Sequence, residues 1–240
     1  MTHVPSYEQV VETYDIDLLR VPGDLQLTAN GSIAEHDGDL KLGNDQYNAM
    51  FRLVQAWRFN SPTLEGLFDL VIASEEARDR LGVEQEGILG LLFASNWSRE
   101  SVRQYHSKND EIGANEFGEA ACAGTLFVIL NNLLSRFKND AQTSRDRWNE
   151  GGPFINGVSL GAVVSAAANN FRHHDEWRRS KPPTQQQLSS MNVLLETLGL
   201  GPQLIRENIC PKILKAMSGG KYDQLNRNLF EFAKSIVNSP

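Results

Sequence analysis

The stretch from Gly118 to Lys138 constrains this chain more than any other, because it carries apolar side chains on two adjoining helical faces. Cys122, Leu126, Ile129, Leu133 and Phe137 make one face, and Ala123, Phe127, Leu130 and Leu134 make the next. A helix apolar over so much of its circumference has to be enclosed by other elements. The segment is therefore expected to run through the centre of a helical body. It does not read as a membrane span, since its strongly apolar run, Thr125 to Leu130, stops at Asn131 and Asn132, far short of the ~20 residues a bilayer requires. Those two amides are expected to be enclosed and to bond neighbouring helices or water, or else to contribute to a site.

A chain of 240 residues with 40% apolar content can build such a body as one large or two small domains. From Asn44 onward the pattern is helical. Tyr47, Met50, Val54 and Trp57 share a face, widened by Phe51 and Leu53, behind an Asn44 cap. Ser61-Pro62 reads as a cap and first-turn proline opening a second helix with Leu64, Leu67, Phe68 and Val71, and Ser74 opens a third. Val83 to Ala94 is apolar but holds Gly87 and Gly90, each costing ~1 kcal/mol in a helix interior, which suggests close backbone packing there. After Ser95-Asn96-Trp97-Ser98 a short helix carries Arg99, Arg103, Tyr105 and His106, and the polar run Ser107 to Asp110 ends it. Gly151-Gly152-Pro153 with Asn156-Gly157 reads as the most flexible loop. Thr184 caps a helix over Gln185 to Leu198. Pro211 must kink or divide Gln203 to Met217, and a last helix packs through Tyr222, Leu225, Leu229, Phe232, Ala233 and Ile236.

Residues before Asn44 read differently. Gly23-Asp-Leu-Gln-Leu27 recurs as Gly38-Asp-Leu-Lys-Leu42, and Asn30-Gly31 and Asp37-Gly38 suit tight turns. Leu25, Leu27, Ile33, Leu40 and Leu42 alternate with polar neighbours, so one face of a small meander is expected to be covered. The expected fold class is mainly α: a multi-helix bundle with a small N-terminal antiparallel β-meander. The meander would occupy 1–43 and the helical domain 44–240, packed as one compact unit.

Several function classes are disfavoured at this stage. Cys122 and Cys210 show no CxxC or Cys/His ligand spacing, so no metal site is expected and both thiols read as buried. The net charge of −7 argues against broad nonspecific nucleic-acid binding. There is no P-loop, GxGxxG or Gly-x-Ser-x-Gly motif, and no cofactor is expected. Without a basic and then apolar N-terminal region, the expected compartment is cytoplasmic and no membrane partner is expected.

Polar chemistry concentrates in Gly161 to Arg179. On a helix begun at Leu160, Val164, Ala167 and Phe171 form an apolar stripe. Ser165, Asn169, Arg172, His173 and Glu176 form a polar strip on the other side, while His174 and Trp177 lie on a flank, where the imidazole could sit under the indole. Arg offers a fork for phosphate or carboxylate, His exchanges a proton near neutral pH, and Glu176 sits one turn from both. Arg172, His173 and Glu176 are thus the candidate catalytic group. Ser165, Asn169, His174, Trp177, Arg99 and His106 are candidate binding residues. An ordinary solvated helix face accounts for the same strip, and Arg178, Arg179 and Lys181 suit a helix C-terminus for electrostatic reasons alone.

Two resemblances add expectations. Arg172 with His173 and His174, and Arg99 with His106, resemble the arginine-then-histidine hallmark of the HEPN superfamily of all-helical proteins. That resemblance implies metal-independent RNA cleavage or nucleotide modification, often in toxin or antiphage systems and often as dimers. Here Arg172 is followed at once by histidine, and Glu100 fills the polar position after Arg99. The two GDLxL segments, leading into Gln46 to Pro62, resemble contractile-tail baseplate wedge proteins of phages and imply a tail structural role, although Gln55-Ala56 stands where that family places a glycine before its aromatic pair. The leading expectation is a soluble helical binding or regulatory protein, of phage or defence origin, contacting its ligand through residues 160–179. Its partner would be a protein, an RNA or nucleotide, or further copies of the chain.

Overall fold

The computed structural model describes residues 3–36, 38–94, 98–179 and 182–238. Expectations resting on Asp37, on residues 95–97 and on Ser180 and Lys181 fall outside it. The chain is mainly helical, with eight α-helices and two small antiparallel β-hairpins among the described residues.

Helix α1, Tyr7–Thr13, precedes the expected meander. Its start is a capping box: the Ser6 hydroxyl accepts the Gln9 N–H at 3.1 Å, and the Gln9 side chain accepts the Ser6 N–H at 2.8 Å, satisfying two donors that a helix start leaves open. Val10 and Val11, with Ile16 and Leu19 around a short 3₁₀ turn, join the same apolar cluster as the helical body. Tyr14 stacks on Phe230 at 4.6 Å between ring centroids and meets the Trp57 ring edge-on at 5.7 Å. The first part of 1–43 is thus core-forming helix, not β structure.

The meander follows in miniature. Strand β1, Glu35–His36, pairs antiparallel with β2, Asp39–Leu40. Single bridges join Leu25 to Leu42 and Leu27 to Ile33. The turns sit at Gly31 and Gly38, both at positive φ. Its expected covered face is absent. Leu25, Leu27, Ile33 and Leu40 are all exposed, Leu27 by 63%. Strands this short offer no flat face for a helix to cover, and only the base is anchored, where Leu42 packs on the core and Gly23 and Gly43 abut the Tyr47 ring.

Helix α2, Asp45–Ala94, and helix α3, Arg99–Asp140, form a long antiparallel hairpin. At ~1.5 Å per residue they extend for roughly 75 and 63 Å. The Asn44 side chain caps α2 by accepting the Tyr47 N–H at 2.8 Å. The breaks expected at Ser61-Pro62, at Ser74 and at Ser107 to Asp110 do not occur. Pro62 lies inside α2, because Trp57, Leu64, Phe68 and Val71 bury one continuous stripe on both sides of it. The polar residues 107–110 are a solvated helix face. Close packing at Gly87 and Gly90 is also absent, since a Cβ at either would meet nothing within 4 Å. Between Val71 and Glu119 no residue with a described side chain is buried, so this part of the hairpin projects from the body as an arm.

Below the arm α3 turns inward, with Leu126, Phe127, Leu130, Leu134 and Phe137 all within 2% of full burial. By length and composition α3 contains a window apolar enough to cross a bilayer, and these core residues supply much of it. Asn131 is only half-buried and Asn132 is exposed, so the expected enclosed amides are surface groups. Helix α4, Arg145–Glu150, leads to a hairpin of β3, Phe154–Ile155, and β4, Val158–Ser159. Its turn is Asn156-Gly157, both at positive φ. The loop expected to be most flexible is therefore a hairpin with Val158 and Ser159 buried, the Ser159 hydroxyl donating to the Trp148 and Gly151 carbonyls at 2.9 and 2.8 Å.

Helix α5, Leu160–Arg179, starts directly from β4. Helices α6, Gln185–Thr197, α7, Cys210–Ser218, and α8, Tyr222–Asn238, complete the body. Thr184 and Gln187 form a second capping box. Pro211 stands in the first turn of α7, where its missing N–H costs nothing, so the helical reading of 203–209 gives way to irregular chain. Helix α8 is fixed to α2 by Trp57 Nε1 donating to Asn226 at 3.2 Å and by the Tyr222 hydroxyl donating to the Ser61 carbonyl at 3.0 Å.

Candidate functional site

The first half of α5 is built for close approach. Leu160, Val163, Val164, Ala167 and Ala168 are fully buried, and small residues let neighbours come near. A Cβ at Gly161 would strike Trp148 and Phe232, and one at Gly124 of α3 would overlap the Phe171 ring. Asn170, also fully buried, donates through Nδ2 to the Glu207 carbonyl at 3.1 Å and accepts the Ile209 N–H at 3.0 Å. Asn208 donates to the Ala120 carbonyl at 2.9 Å and accepts the Cys210 N–H at 3.0 Å. The Cys210 thiol donates to the Ala167 carbonyl at 3.3 Å, and burial pushes its pKa up to about 12. This thiol is a packed core group and a poor nucleophile, because the thiolate is the reactive form. These contacts pin the chain before α7 onto α5 and α3.

Past Phe171 the helix emerges into solvent. Arg172, His173 and Glu176 are exposed, as are Asp175, Arg178 and Arg179. His173 Nδ1 lies 3.2 Å from the Glu176 carboxylate one turn on. An exposed pair of this kind contributes ~0–1 kcal/mol. His174 is half-buried and its Nδ1 faces the Phe171 carbonyl at 3.1 Å, while Trp177 is buried at 4% exposure. His173 and His174 thus have different surroundings: one belongs to the open strip and the other folds back on its own helix.

The remaining candidates do not join this group. Ser165 lines a separate cleft with Lys138, Arg145, Trp148, Ser189 and Glu196, and Asn169 is half-buried between the two regions. Arg99 and His106 lie on the arm. With Phe171 seated on Gly124, the rise of α3 places His106 ~27 Å and Arg99 ~38 Å further along that helix. Chemically, Arg172 to Glu176 can offer a guanidinium fork, a protonatable imidazole and a carboxylate to a docked surface. Strong electrostatic catalysis calls for a site from which water is withdrawn, and the exposure of these three side chains gives the opposite environment.

A more convergent polar cluster lies at the root of the arm, in a cleft of about 290 Å³ between α2, α3 and α7. Arg78 donates to the Glu119 carboxylate there, and Lys215 pairs with Glu75 at 2.5 Å. Burial raises the Glu119 pKa against the lowering effect of Arg78, with the Glu75, Asp79 and Glu116 carboxylates adding to the rise. Sequence reasoning missed this cluster, since its members stand far apart along the chain and form no motif. It also missed Asn170 and Asn208. The one available signal was their position, each an amide within or beside an apolar stretch.

Comparison of the chain with protein-family models, with curated proteins and with solved structures finds no match in any of the three.

Proposed function

We propose that this chain is a helical binding or regulatory protein whose multi-helix bundle body presents the charged end of α5 to a partner. The observation that carries this reading is the change in α5 at Phe171: before it only Ser165 is exposed, whereas beyond it only Trp177 is buried and Arg172, His173 and Glu176 are exposed. Such side chains add little to the protein's own stability, and they alternate both charge signs along one helical turn, which suits recognition of a mixed-charge protein surface better than binding of a polyanion. The phage or defence setting is part of this proposal, resting on the resemblances in the sequence.

The competing enzymatic reading assigns RNA cleavage to Arg172 and His173, and incubation of the purified protein with a mixed RNA pool in EDTA separates the two. A binding protein leaves the pool intact, and the Arg172→Ala/His173→Ala variant keeps its stability within ~0.5 kcal/mol of the wild type, as surface changes do. Cleavage that disappears in this variant at unchanged melting temperature would overturn the proposal.

A further inference from the structure

We propose that the α2–α3 arm pairs with the arm of a second copy of this chain, running antiparallel to it. This is independent of the role given to α5. Two helices alone cannot enclose a seam, and along the arm from Ile72 to Leu89 and from Arg99 to Gly118 no side chain is buried. Apolar groups nevertheless recur there, and two of them are wide open: Val83 at 71% and Phe117 at 77% exposure. Adding the two helices of a second arm would convert this half-covered seam into a four-helix contact.

Charge decides both the occupant and the direction. The outer half of the arm strand of α3 holds Arg99 and Arg103 against Glu100, with Lys108 at its inner edge paired to Glu84 and Glu111 of the same arm, whereas the inner half, residues 109–118, holds Asp110, Glu111 and Glu116 and no cation. The adjoining part of α2 adds to the acidity of the inner half, since Gln85 lies against Asn109 and the antiparallel run places residues 75–84, with Glu75, Glu76, Asp79 and Glu84 against Arg78 and Arg80, beside residues 110–119. Parallel arms would set like charge on like. Antiparallel arms set each basic outer half on the partner's acidic inner half, twice over by symmetry, and hold the two bodies at opposite ends.

Sedimentation equilibrium of the full chain at micromolar concentration tests this. The wild type is expected at about twice its 26.8 kDa, shifting toward monomer as salt screens the contact. Arg99→Glu/Arg103→Glu and Asp110→Lys/Glu116→Lys should each be monomeric with unchanged circular dichroism. Mixing the two should restore a dimer, and a chain carrying all four changes should dimerise by itself, which parallel pairing does not allow. A monomeric wild type, or charge-reversed variants that remain dimeric, would overturn the proposal, as would a folded four-change chain that stays monomeric.

Discussion

At the scale of single residues, Asn170 shows how a polar group can hold a core together. Its amide spans from α5 to both Glu207 and Ile209, so replacing it with leucine, which has the same branched outline with bulkier methyl ends, removes the bonds. The Ile209 N–H is then left without a partner in a dry site, a loss worth about 1–3 kcal/mol. Urea unfolding of Asn170→Leu should show that loss as a lower midpoint with an unchanged slope, and a midpoint equal to the wild type would mean the bridge contributes nothing. In the sequence Asn169 falls on the polar strip and Asn170 off it, with no sign that Asn170 is fully buried while Asn169 is half-exposed. That difference comes from α7 and the chain before it, which the local pattern does not contain. Arg172 to Glu176 were more legible, because a polar strip on an otherwise apolar helix has only one side on which to lie.

At the scale of elements, the helices whose ends carry chemical signals were readable and those lengthened by packing were not. Thr184 and Gln187 mark the start of α6, and Pro211 marks the first turn of α7. Asn156-Gly157 between Phe154-Ile155 and Val158 was an adequate hairpin signal that loop composition obscured. Pro62 misleads in the other direction. Ser-Pro is a sound helix start in isolation, yet the buried stripe from Trp57 to Val71 continues through it, and tertiary burial outweighs the local preference. Proline inside a helix is ~3 kcal/mol worse than alanine, partly offset by its stiffening of the unfolded chain. Pro62→Ala should therefore raise stability by about 1–2 kcal/mol in thermal or urea unfolding. A neutral or destabilising result would indicate that Pro62 begins a helix and that α2 is two elements.

At the scale of the whole molecule, the two long helices set what α5 can do. They carry Arg99 and His106 away from the body, so the residues that share a polar character in the sequence are distributed over an arm, a cleft and a helix end. The mainly helical class was legible from periodicity, as was the central place of residues 118–138. The arm was not, because its exposed polar segments read as breaks and its length emerges only when α2 and α3 are seen to run on beside each other. The most direct test of this account is a pulsed electron-electron distance between spin labels at His106→Cys and Arg172→Cys in a Cys122→Ala background, diluted with unlabelled protein to isolate distances within one chain. A separation of at least ~27 Å is expected, since the helical rise along α3 alone accounts for that much. A distance short enough for the two positions to share one cleft would contradict it and return these residues to a single site.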